Sequence, residues 1–134
     1  MSSEPLRVVA AAILEERKLL LVSKHAAPDV FYLPGGKPDR GEEPIETLER
    51  EVREELGVGV VQSELLTVVH EQAALEDVPM EMKVYRCVVD GLVEPRAEIA
   101  ALAWVEADGP RPGRLAPAIL NHVLPFLAKI GLIA

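Results

Sequence analysis

Two apolar runs open the chain, Leu6 to Leu14 and Lys18 to Ser23, with the polar turn Glu15-Glu16-Arg17-Lys18 between them. That spacing predicts a β-hairpin. Phe31-Tyr32-Leu33 reads as a short strand leading into Pro34-Gly35-Gly36. The period then changes. Ile45, Leu48, Val52 and Leu56 recur at i, i+3, i+7 and i+11, the single apolar stripe of a helix over residues 43–56. Pro44 suits the first turn, where its missing N–H would be unpaired anyway. Gly57 follows the last periodic residue, where a left-handed C-terminal cap is expected. Val58 to Val61 and Leu65 to His70 read as two strands or as one long bent strand. Glu71 to Pro79 is a polar, acidic loop, and Met80 to Val89 is another strand. Asp90-Gly91 is a turn signal. Ile99 to Val105, which contains Trp104, is again apolar, and residues 107–113 form a Pro/Gly loop. Leu115 to Ile130 reads as a second helix, with Pro117 near its start and Pro125 placed to kink it. The order is mixed α/β. A sheet covered by one helix on each side is the expected layering.

Composition narrows the partners. At 134 residues the chain is expected to be one domain, residues 1–134, able to bury a real core. Nearly half the residues are apolar and few are aromatic, so that core is Val, Leu, Ile and Ala. A formal charge of −8 argues against non-specific binding to a nucleic-acid polymer. It does not forbid a phosphorylated small molecule, because a bound cation reverses the local sign. The single Cys87 excludes an intrachain disulfide and fits a reducing cytoplasm. Its apolar neighbours make it a small buried hydrophobe rather than a nucleophile. The polar N-terminus and the short run ending in Glu15-Glu16 do not read as a signal peptide, and no stretch approaches a transmembrane span. The expectation is a cytoplasmic protein without a membrane partner. His25 and His70 stand apart and mark no zinc site.

The first helix carries far more acid than a surface needs. Glu51, Glu54 and Glu55 are related by i+3 and i+4 and so share one face beside the apolar stripe. Three like charges that close repel. A hard cation, Mg²⁺ or Mn²⁺, removes the penalty because it prefers carboxylate oxygens and water. Glu43, Glu46 and Glu49 read as an ordinary solvated face.

Written as a pattern, residues 36–58 are G-x5-E-x7-R-E-V-x-E-E-x-G-V. That pattern resembles the Nudix box of the Nudix (MutT-like) pyrophosphohydrolases, and every fixed position of the box is filled. The resemblance implies a Nudix-type α/β/α sandwich, its mixed sheet lying between the box helix and the C-terminal helix, onto which nearly the whole chain maps. It implies hydrolysis of a nucleoside diphosphate linked to some group X, with Mg²⁺ or Mn²⁺ neutralising the diphosphate and activating water. Carried over by position, Glu51, Glu54 and Glu55 hold the metals. A backbone carbonyl at Gly35 or Gly36 can add a ligand, since glycine permits close approach. Glu42 and Arg50 pair as a salt bridge that orients loop and helix. The general base is either a box glutamate or a glutamate from a distal loop. Glu98 is the best distal candidate, with Glu94, Glu71 and Glu76 as rivals, and each reads equally well as a solvated loop acid.

The substrate pocket is less determined. Phe31 and Tyr32 could line a base pocket or belong to the core, with the core favoured, and Tyr85 and Met82 carry the same ambiguity. Lys37 and Arg40 could meet substrate phosphates or stay solvated. Trp104 resembles the Trp often found at the end of this fold's last strand, where packing is the default role. The Pro or Tyr marks of the ADP-ribose and dinucleoside polyphosphate subfamilies are missing from residues 73–76, and no coenzyme A motif is recognisable. The short chain looks like the MutT-type enzymes, so a (deoxy)nucleoside triphosphate, ordinary or modified, is the leading expectation. ADP-ribose, a nucleotide sugar or a dinucleoside polyphosphate is the alternative. A silent Nudix domain that binds a nucleotide or a protein as a regulator is a second, against which the complete acid set argues. A purely structural acidic helix is a third. Family analogy allows a homodimer, and the acidic loop of residues 71–79 could serve as a lid or a subunit contact.

Overall fold

The computed structural model describes residues 4–134; the first three residues of the expected domain lie outside the described residues. The opening hairpin joins β1 (Leu6–Glu15) to β2 (Lys18–Lys24). Its turn residues Glu16 and Arg17 both have positive φ, 51° and 61°. That is the turn geometry whose twist matches flanking strands. Next come β3 (Ala27–Tyr32), β4 (Gly35–Gly36) and helix α1 (Pro44–Leu56). Then follow β5 (Val60–Gln72), β6 (Pro79–Val89), β7 (Ile99–Val105) and the two-residue β8 (Arg114–Leu115). The sheet order is β5-β6-β1-β2-β3-β8, with β4 added to β1 and β7 to β2. The β1–β6 and β3–β8 pairs are parallel and the other pairs antiparallel.

The sheet has two dry faces, which is why its central strands read as unbroken apolar runs. Val9, Ala11 and Ile13 of β1 and Leu20 and Val22 of β2 pack with Leu48, Val52 and Leu56 of α1. Their alternates, Ala10, Ala12, Leu19 and Leu21, pack with Ile119, Val123, Leu124 and Leu127. Fully burying a Leu or Val side chain contributes about 1.5–3 kcal/mol, so three such residues fix how α1 sits on the sheet.

Several elements differ from their sequence reading. The stretch from 60 to 72 is one strand with two register shifts. It runs through Glu71 and Gln72, so the acidic loop is shorter than expected. Strand β3 begins at Ala27, ahead of its apolar residues, because backbone pairing with β2 extends it. Ile45, in the first turn of α1, does not join the buried stripe; it is 38% exposed. Thr47 and Glu55 take the buried positions instead. Glu46 is more than a solvated acid: its carboxylate accepts the Glu43 N–H at 2.9 Å and closes the helix N-terminus. The expected second helix starts late, because Arg114 and Leu115 are drawn into β8. It then passes through a π-turn, Ile119–Val123, before α2 (Leu124–Lys129). The Leu124 N–H reaches back to the Ile119 carbonyl, one residue further than in an α-helix. Pro125 supplies the reason: it has no N–H and its ring crowds the preceding turn, which widens to accommodate it. Among the described residues no helix is long and apolar enough to cross a membrane.

Candidate active site

The site forms where β1 and β2 part. They pair only beside their turn, at Leu14↔Leu19 and Glu15↔Lys18. Beyond that β2 turns to β7, and β1 takes β4 as its neighbour through Val9↔Gly36 and Ala10↔Gly35. Only glycine can make this insertion. Gly35 has φ 146°, and a Cβ there would lie 2.2 Å from the Val9 carbonyl oxygen. A Cβ on Gly36 would lie 2.7 Å from the carboxyl carbon of Glu51. Two bare residues thus let a strand slide between β1 and the acidic face of α1.

The three acids of that face meet different surroundings. Glu55 is 3% exposed and its carboxylate accepts the Gly35 N–H at 3.0 Å. Burial pushes its carboxyl up to about 8; the Gly35 N–H opposes the rise and nearby Glu51 adds to it. Glu51 is also raised, first by burial, against the pull of its Arg50 partner. Glu54 points outward and is 58% exposed. Arg50 is the hub that ties the preceding loop to the helix. Its Nε and Nη2 each donate to Glu42 at 2.9 Å, Nη2 also donates to the Lys37 carbonyl at 3.2 Å, and Nη1 donates to Glu51. The Arg50 hydrogen bonds, with those from the Asp39 N–H and the Thr47 hydroxyl, bring Glu42 down to about 2. As placed, no three His, Cys, Asp or Glu side chains among the described residues converge closely enough to chelate an ion. Glu51 is turned to Arg50, Glu55 to Gly35 and Glu54 to solvent.

Beside this acid face lies a cleft of about 350 Å³. One end is polar, with Gly35, Gly36, Arg50, Glu51, Glu98 and Lys24. The other is apolar, with Leu6, Val8, Met80, Met82, Ala118 and Ile119. Of the distal acids, Glu98 and Glu76 line the cleft, each facing a lysine: Glu98 with Lys24 at 3.5 Å and Glu76 with Lys37 at 3.6 Å. Glu94 and Glu71 do not line it. Glu94 pairs with Arg96, and Glu71 accepts hydrogen bonds from Gln72 and Asn121 and sits 3.2 Å from His122.

The aromatic and basic candidates separate as well. Tyr32, Met82 and Lys37 line the cleft. Phe31, one residue along the strand from Tyr32, faces the other way and is buried in the core behind α2. Tyr85 packs on the α1 side, and Arg40 sits exposed on the loop; neither is on the lining. Those three do not contribute to the cleft. Trp104 packs against the α1-side core, and burial pushes the Cys87 thiol up to about 12, as suits a small hydrophobe. Lys24 had no signal in the sequence, because its neighbours in the cleft come from β3 and from the segment before β7.

The comparisons with known proteins decide the family. A family model, the NUDIX domain, matches residues 4–124. The chain belongs to the Nudix hydrolase family. The fold, a curled mixed sheet with two helices, is the one found in its solved members. The MutT NUDIX hydrolase from Burkholderia pseudomallei is 28% identical, with a TM-score of 0.72 and 97% of each chain covered. An ADP-ribose pyrophosphatase from Streptococcus suis is 26% identical, with a TM-score of 0.65 over 94% of this chain and 92% of that one. A UDP-X diphosphatase is 25% identical, with a TM-score of 0.73 over 97% of this chain and 64% of that one. A search of curated proteins gave no match. Nudix hydrolases act on small nucleotide substrates and use divalent metal ions.

Proposed function

We propose that this Nudix hydrolase cleaves a nucleoside diphosphate linked to X, that Mg²⁺ or Mn²⁺ is its cation, and that a (deoxy)nucleoside triphosphate, split to monophosphate and diphosphate, is its substrate. The observation that carries the reading is the cleft itself, in which an acid-lined end opens directly onto an apolar end. A nucleotide has that same division between charged diphosphate and flat base.

The donor set fits a hard cation. Glu51, Glu54 and Glu55 offer carboxylates, and Gly35 and Gly36 offer backbone carbonyls beside them, all of them oxygen. The buried Glu55 carboxylate has one hydrogen-bond donor among the described residues, the Gly35 N–H, which leaves lone pairs for an ion. When bound, the cation neutralises diphosphate oxygens and lowers the pKa of the attacking water. The protein's own groups do the rest. Glu98, which lines the cleft with Glu51, takes the proton from that water. Lys37, also on the cleft lining, meets a phosphate oxygen. Arg50 keeps the loop of residues 37–42 registered on α1, so that the glycines and acids hold their spacing. The apolar end excludes water around the base. The likeness to a MutT hydrolase supports the triphosphate. The likenesses to an ADP-ribose pyrophosphatase and a UDP-X diphosphatase support a nucleotide sugar or ADP-ribose as the second reading.

The test is phosphate and diphosphate release from a panel in Mg²⁺ and Mn²⁺: common and 8-oxo (d)NTPs, ADP-ribose, nucleotide sugars and diadenosine polyphosphates, with Glu54→Gln as control. Turnover of triphosphates, lost in the variant, is the expected result. Turnover confined to ADP-ribose or sugar nucleotides would move the assignment to the second reading. Undiminished turnover by Glu54→Gln would remove the metal role given to the box.

A further inference from the structure

We propose that Lys24 is a positioning residue, holding Glu98 at the acid end of the cleft. The inference rests on the hydrolase reading above and adds a residue that the box does not contain. Lys24 is the last residue of β2 and lines the cleft together with Tyr32 and Glu98. Its Nζ lies 3.5 Å from Glu98 Oε1 and 5.8 Å from the centre of the Tyr32 ring. The adjacent backbone adds a second tie, since the His25 N–H donates to the Glu98 carbonyl at 2.9 Å. The other side of the segment is fastened to the end of α1, where the Arg96 N–H donates to the Glu55 carbonyl at 2.9 Å. Between these anchors Ala97 adopts a left-handed φ of 52° and turns the chain toward the cleft.

The sheet supports the same aim. Strands β2 and β7 keep one register as far as Ser23↔Ala101 and then shift to Lys24↔Ile99, so Ala100 is an extra residue. A bulge of this kind re-aims the side chains beside it. Without a counter-ion Glu98 would not stay. Its side chain is 57% exposed, and Glu51 and Glu55 repel it from the acid end. The ammonium of Lys24, 5.8 Å from the centre of the Tyr32 ring, offsets that repulsion. An ion pair this exposed contributes little to stability, which separates positioning from mere structure: the variant should melt with the parent and still turn over slowly.

Steady-state kinetics of Lys24→Met, Lys24→Arg, Glu98→Gln and the Lys24→Met/Glu98→Gln double variant test the proposal, using the nucleotide the parent cleaves best. Misplacing Glu98 should lower kcat of Lys24→Met roughly tenfold to hundredfold, with KM nearly unchanged. Lys24→Arg should restore most of it. The double variant should be no slower than Glu98→Gln alone, because Lys24 then has nothing left to position. Calorimetry should show Mn²⁺ binding retained in every variant. The proposal is overturned if Lys24→Met keeps its kcat, if only KM rises, if the two losses multiply, or if Mn²⁺ binding goes with the lysine. A parent that cleaves no nucleotide would overturn the hydrolase reading and this proposal together; an active parent with an unaffected Lys24→Met would remove this one alone.

Discussion

The two ends of the cleft are built in opposite ways. At the acid end most of the groups come from one stretch, residues 35–55, and they are tied by charge-assisted hydrogen bonds centred on Arg50. At the apolar end Leu6 and Val8 come from β1, Met80 and Met82 from β6, and Ala118 and Ile119 from the helical turn before α2. Packing alone holds those side chains, and Met is the most adaptable of them. Geometry that must be exact is encoded locally and fixed by direction-dependent bonds. Geometry that decides which base or X group fits is spread over distant segments and can drift one residue at a time.

The sharpest way to break this contrast is to change one residue at each end. Glu55→Gln should lower kcat by about 10²–10³, the several kcal/mol that a bound cation gives to the transition state. Met80→Ala should leave kcat alone and change the ratio of KM values between nucleotides by roughly 5- to 150-fold, the 1–3 kcal/mol that a methylene is worth in an apolar pocket. Kinetics over the substrate panel measure both. If Met80→Ala lost turnover as completely as Glu55→Gln, the two ends would be one cooperative unit and the contrast would fail.

The next effect falls on stability. Ile119 is fully buried and begins the π-turn. Ile119→Ala should cost about 2–5 kcal/mol, read as a lower urea midpoint. Below that midpoint kcat should persist, because Ile119 belongs to the apolar end of the cleft and the box acids stand on α1. A variant that keeps its stability would mean that the π-turn collapses freely onto the gap, and that the apolar end is softer still.

The same division explains how much could be read from the residues in order. Helix α1 obeys local rules: Pro44 opens it, and Gly57 closes it at φ 73° with its N–H on the Arg53 carbonyl. Its acids and the Glu42–Arg50 spacing are likewise visible in one window. What could not be read depends on pairing. Whether Phe31 or Tyr32 faces the cleft is set by which neighbour β3 takes, and β8, two residues long, has no period to detect. Pro125 announced a disturbance in the second helix, but only the packed structure shows it as a wider turn rather than a bend. Ser23-Lys24-His25 carries no motif, and only the β2–β7 register brings it to Glu98.

The smallest effect sharpens the role of the Arg50 hub. Glu42 titrates at about 2 in the folded chain against 4.5 for an ordinary glutamate, first through its Arg50 hydrogen bonds and then through the Asp39 N–H and the Thr47 hydroxyl. The folded state therefore binds fewer protons than the unfolded one between those two values. The stabilisation is fully present above pH 4.5 and disappears as pH falls toward 2. Glu71, also lowered, through Gln72, Asn121 and His122, acts with the same sign. The informative quantity is consequently a difference between variant and parent. Glu42→Gln should be less stable than the parent at neutral pH, and the gap between their urea midpoints should narrow as the solution is acidified through that window. A gap that stays constant would mean that Glu42 acts through shape and neutral hydrogen bonds. The acid end would then be held much as the apolar end is, by fit rather than by charge.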